Sequence, residues 1–135
     1  MKIKTIISWI LRLTVAIILL QTLFYKFTAH PDSVHIFTEL HAEPWGRITL
    51  GFIELITAIL ILLPKTKTYG MVISFFIILG AIFSHLLVIG VNVSGDGGRL
   101  FLLAIIVAVA SLAYMILNYK DVKLDFQNLL IKKSH

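Results

Sequence analysis

The chain has 135 residues, of which 59% are hydrophobic, 14% charged and none cysteine, and its mean hydropathy is +0.96. A water-soluble domain carries about 25% charged residues, so an ordinary soluble globule is excluded. The missing thiols exclude disulfides, Cys-ligated zinc, iron–sulfur clusters and thiol redox chemistry. The net charge of +5 does not signal nucleic acid, because Lys and Arg sit at the ends of apolar runs and are not interleaved with aromatics on one polar face.

Four apolar runs, about residues 5–27, 45–63, 70–92 and 99–118, each have the length a helix needs to cross a hydrocarbon core about 30 Å thick. They predict an all-α integral membrane protein: a four-transmembrane-helix bundle occupying residues 1–119, with a short outer interfacial helix and an amphipathic tail over 120–135. The first run follows Lys2 and Lys4, as a secretory signal would. Arg12 interrupts its apolar centre, and Thr28-Ala29-His30-Pro31 is a poor cleavage site, so the run is read as a retained span.

Lys2 and Lys4, Lys65 and Lys67, and Lys120, Lys123, Lys132 and Lys133 all fall on one side of a four-span hairpin. The positive-inside rule places that side, with both termini, in the cytoplasm. Loops 28–44 and 93–98 then face outward. The first of these reads as a surface helix, opened by Pro31 and closed by Pro44, with Val34, Phe37 and Leu40 forming an apolar stripe. Asp32, His35 and Glu39 share another face, a weak metal signature whose ordinary reading is a solvated face, and no metal site is assigned. Asn92 to Arg99 is a glycine-rich turn whose spacing fits neither phosphate-binding pattern. In the tail, Val122, Phe126, Leu129 and Leu130 recur at helical spacing among lysines, as in a helix lying on an anionic leaflet.

Ionisable and amide groups inside hydrocarbon are costly and carry most of the functional information. Counting 1.5 Å per residue, Gln21, Glu54 and His85 lie roughly 9, 12 and 10 Å below the outer surface. They occupy one layer. Lys26 and Arg99 sit at the rim above it, and Glu54 can keep its charge there by pairing with His85, Lys26 or Arg99. The candidate ligand-binding residues are therefore Glu54, His85, Lys26, Gln21 and Arg99; no catalytic residue is assigned. Four of them have a structural alternative: an inter-helix bond for Glu54, packing for His85, snorkelling for Lys26 and helix glue for Gln21. Arg12, near the inner face, is read as an anchor to lipid phosphates or a partner of Tyr114 or Ser111.

The sequence also resembles the DoxX-like family of four-span membrane proteins. The matching pieces are Leu11-Arg12-Leu13, Tyr25-Lys26-Phe27, Gly51-Phe52-Ile53-Glu54-Leu55, Pro64, and Leu79-Gly80-Ala81-Ile82-Phe83-Ser84-His85-Leu86. They are spread over about residues 8–115. Each is short, but their order and spacing together are specific; Tyr25 stands where the family often has small residues. The resemblance implies a bacterial cytoplasmic-membrane bundle, linked in some members to redox or quinone systems, with Lys26, Glu54 and His85 as shared polar positions. It implies no particular reaction.

Two functions follow from these residues. Glu54 and His85, capped by Lys26, form a pocket for a small amphipathic molecule such as a quinone; this predicts a cavity. Alternatively the polar layer is structural, and the chain is a non-enzymatic subunit or assembly factor that packs on a membrane partner or on itself. That predicts a filled layer and an exposed stripe of Gly70, Ser74, Gly80, Ala81 and Ser84.

Overall fold

A computed structural model describes residues 2–133 and is helical throughout its ordered elements. The helices are α1 (Ile3–Phe27), α2 (Pro31–Glu39), α3 (Trp45–Leu62), α4 (Lys67–Ser84), α5 (Arg99–Leu117) and α6 (Tyr119–Lys133), and α4 is prolonged by a π-helical turn, His85–Ile89. Four of them, with α4 counted through Ile89, are long and apolar enough to cross a membrane. The protein is a multi-pass membrane bundle.

Chain punctuation explains the boundaries. Pro31 begins α2 at a position where its missing N–H costs nothing, and the ring of His30 accepts from the Asp32 N–H at 3.2 Å. Pro64 follows the end of α3. The third span, expected over 70–92, runs from Lys67 to Ile89, because Gly90 at φ +88° turns the backbone out of the helix. The other glycine with a clear role is Gly70: a Cβ there would lie 2.7 Å from the Ile61 backbone nitrogen, so only glycine lets α3 and α4 approach this closely.

In the bundle, α1 and α4 stand at opposite corners, and each packs against both α3 and α5. Val15, Ile61, Met71, Val107 and Tyr114 are fully buried between them, while Ile17, Phe24, Ile56, Phe76, Val109 and Ile116 point outward. Such apolar outer faces suit lipid and would be untenable in water.

Two expectations change in detail, and the tail keeps its expected helix. On and just after α2, Ser33 and Phe37 are buried and Val34, Ile36 and Leu40 half-buried, and Ser33, Ile36, Phe37 and Leu40 face the interior of the bundle; this segment thus turns a hydroxyl toward the bundle as well as its apolar stripe. Arg12 does not reach for lipid phosphates or pair with Ser111. It is buried, stacks over Trp9 at 4.0 Å, and donates from Nε to Ile61 O at 2.9 Å and from Nη2 to Leu62 O at 3.2 Å. The end of α3 leaves carbonyls without helical partners, and a cation there also meets the negative end of the helix dipole. The tail is helical through Lys133, with Phe126, Leu129 and Leu130 exposed. It is tied to α4 by the Tyr69 hydroxyl donating to Asp125 O at 3.0 Å and by the Tyr69–Phe126 ring contact. Ser134 and His135 lie outside the described residues.

Candidate ligand cavity and its polar cluster

Helices α3 and α4 are drawn together at Gly70 and Ile61. Toward the loop-bearing end the bundle holds a cavity of about 430 Å³, bordered by α1, α2, α3, α4, the π-turn and α5. Its walls are mainly Ile, Leu, Val, Ala and Phe. Gly80 borders it, and a Cβ at that position would meet nothing within 4 Å.

Three polar groups of the wall, Thr22, Lys26 and Glu54, come together. Lys26 Nζ lies 2.9 Å from Glu54 Oε2, with side chains only 13% and 7% exposed. The Thr22 hydroxyl donates to Leu19 O at 2.9 Å and stands 3.5 Å from Glu54 Oε2. It carries a single proton, so it serves one acceptor at a time. Mutual attraction is what makes two charges tolerable at this depth.

Lys26 is positioned by its own backbone. Arg47, on the first turn of α3, donates from Nη1 to the Lys26 carbonyl and is gripped by Glu43, with Nε 3.0 Å from each carboxylate oxygen and Nη2 2.9 Å from Oε1. This clamp joins the end of α1 to the start of α3. The i, i+4 spacing of Glu43 and Arg47 is a pairing signal visible in the sequence.

His85 lines the same cavity but makes no hydrogen bond or ion pair with Glu54. Its Nδ1 lies 3.0 Å from Gly90 O, and its ring meets Phe101 edge-on at 5.6 Å. A carbonyl only accepts, so the neutral ring carries its proton on Nδ1 and leaves Nε2 as an acceptor. The π-turn is the cause: its i to i+5 bond from Gly90 N to His85 O brings the carbonyl of residue 90 back over the ring. The expected contact between Glu54 and His85 is therefore replaced by a shared cavity.

Gln21 and Arg99 do not join the Glu54 layer. They line a second, smaller cavity of about 70 Å³ together with Asp32, Asp96, Thr22, Tyr25, Leu100 and Leu103. The layer divides because residue 21 points to a different side of α1 from residues 22 and 26. Thr22 and Ser33, which sequence reasoning passed over, line the large cavity with Tyr25; the i+4 spacing of Thr22 to Lys26 and of Ser33 to Phe37 was the available signal.

Asp96 organises the turn before α5. Its Oδ1 accepts from Val93 N at 3.0 Å and Gly98 N at 2.8 Å, and its Oδ2 from Leu100 N at 3.1 Å. Partial burial alone would raise its pKa, but the donors from Leu100, Gly98 and Val93 together outweigh it and hold the carboxyl below its ordinary range. On α2, Asp32 lies 3.9 Å from His30, while His35 and Glu39 are exposed. Among the described residues no three metal-ligating side chains converge.

In comparisons with known proteins, no family model, no curated protein and no solved structure matches this chain.

Proposed function

We propose that the large cavity binds one small amphipathic molecule, a quinone being the class that fits best, and that the chain is a DoxX-like protein of a redox-linked system in a bacterial cytoplasmic membrane. The observation that carries this reading is the cavity itself, about 430 Å³ with apolar walls and one convergent polar cluster at Lys26 and Glu54. Ligand sites have this size and this division between apolar walls and a few placed polar groups.

A quinone suits the donor set. The Lys26 ammonium and the hydroxyls of Tyr25 and Ser33 can donate to its carbonyls, and the Nε2 lone pair of His85 suits a hydroxyl of its reduced form. When bound, such a group supplies two-electron, two-proton redox chemistry. This chain holds and orients it, and excludes bulk water with the apolar walls. With both termini and Lys65, Lys67, Lys120, Lys123 and Lys132 on the cytoplasmic side, the cavity lies in the outer leaflet half.

The alternative, a structural subunit with a filled layer, calls for an exposed small-residue stripe. Of Gly70, Ser74, Gly80, Ala81 and Ser84, the first two are buried inside the chain, Gly70 against Ile61 and Ser74 on Ser111 at 2.9 Å, while Gly80 is exposed and Ala81 and Ser84 are half-buried.

The test is native mass spectrometry of gently solubilised wild type beside Glu54→Gln and His85→Ala. The expected result is a quinone or lipid-like mass on the wild type that both variants lose. A wild type that carries a protein partner and no small molecule overturns the reading in favour of a scaffold.

A further inference from the structure

The two cavities share a wall. Thr22, Tyr25, Leu100 and Leu103 line both. On the small side of that wall stand Gln21, Asp32, Asp96 and Arg99, with Arg99 exposed and both aspartates half-exposed, so the small cavity opens to solution at the loop-bearing face. On the large side stands the Lys26–Glu54 pair.

We propose that the small cavity is an aqueous port, which brings water from the loop-bearing face through Thr22 to the Lys26–Glu54 pair. A ligand group that gains or loses a proton at that pair then exchanges it with solution on the same face; this second statement rests on the ligand-binding reading, the port itself does not.

Four observations support the port. About 70 Å³ has room for a few water molecules. The half-buried Gln21 amide has no hydrogen-bond partner among the described residues, and such a group in a cavity is satisfied by water. The Thr22 hydroxyl is within reach of Glu54, and its lone pairs are free to accept from a water on the small side. The way to the opposite face is shut, because Val15, Ala58, Ile61, Met71 and Val107 are packed with almost no exposure beneath the large cavity. The ionisable groups along the route are Asp32 from α2, Asp96 from the turn, Arg99 from α5, Tyr25 and Lys26 from α1 and Glu54 from α3, with His85 on the far wall. Proton exchange through the port responds to the loop-side pH alone.

The chain has no cysteine, so a single introduced thiol reports unambiguously. Full-length Thr22→Cys, Thr38→Cys, Lys65→Cys and Ser111→Cys are placed in sealed vesicles, and silver nitrate is added outside in chloride-free buffer. Unreacted thiol is then counted with a fluorescent maleimide after denaturation. Thr38 on α2 and Lys65 between α3 and α4 mark the two faces. The port predicts that Thr22→Cys reacts to the same fraction as Thr38→Cys, within about tenfold of its rate, and that Ser111→Cys in the packed half is slower by about a hundredfold or more. Thr22→Cys reacting as slowly as Ser111→Cys, or following the Lys65→Cys fraction, overturns it. If Thr22→Cys misfolds, Leu100→Cys on the same wall takes its place, with the same two outcomes. The two readings fail separately: a shielded thiol on protein that retains its small molecule ends the port alone, and a reactive thiol on protein that never carries one ends the ligand reading alone.

Discussion

The guanidinium of Arg47 donates to the backbone carbonyl of Lys26, the residue whose ammonium holds Glu54. The cavity's charge pair is thus set by a clamp in the first turn of α3, and Glu43 holds the clamp from the loop. Arg47→Lys keeps the charge but loses the planar fork that serves carboxylate and carbonyl together. It is expected to destabilise the protein by about 1–3 kcal/mol and to weaken ligand retention. Thermal unfolding in detergent and native mass spectrometry on the same sample check this.

Lys26→Met and Glu54→Gln each leave a partner buried and alone, which costs about 3–5 kcal/mol in a protein interior. The double variant removes both groups and is expected to lose clearly less than the sum. Additive losses in unfolding free energy would show that the pair contributes nothing as a pair.

Glu54 and His85 make no bond to each other. Stability losses in Glu54→Gln and His85→Ala are expected to add within about 0.5 kcal/mol, while both lose the bound molecule. A double-variant unfolding series measures the coupling.

Gly70→Ala pushes a methyl against the Ile61 backbone and is expected to cost about 1–3 kcal/mol. Gly80→Ala meets open space, so its melting temperature stays close to that of the wild type. Gly80→Leu fills part of the cavity and is expected to expel the ligand without unfolding the bundle.

The Asp96 carboxyl sits below its ordinary value of 3.8. A group depressed in the folded state adds stability at pH above its unfolded value and loses it as pH falls through the folded one. Acidification through the ordinary aspartate value should therefore lower the melting temperature of wild type, and Asp96→Asn should show a flatter profile over the same window. Melting curves across that range decide the sign.

The four spans were legible because hydrocarbon forces every backbone group into internal hydrogen bonds, so a long apolar run has one common solution, a helix. Pro31, Pro64 and the glycines near residue 95 marked boundaries for equally local reasons. The depths of Glu54 and His85 followed from helical rise alone, and both do line one cavity. The partners were not legible. Depth along a helix says nothing about its rotation, and rotation sent Gln21 to the small cavity alone and set Thr22 on the wall between the two.

Arg12 shows the same division. Its sequence position marked a cation within the first span, read as a lipid anchor or a partner of Tyr114 or Ser111, yet only the approach of α1 to the end of α3 supplies the Ile61 and Leu62 carbonyls that hold it. The π-turn at His85 likewise depends on how the chain leaves the bundle at Gly90. Sequence by itself determined what crosses the membrane and which residues are too polar to be there idly, because these depend on transfer free energies of single side chains. Tertiary structure decided which of those residues meet and where space is left, because both depend on the rotation and spacing of whole helices.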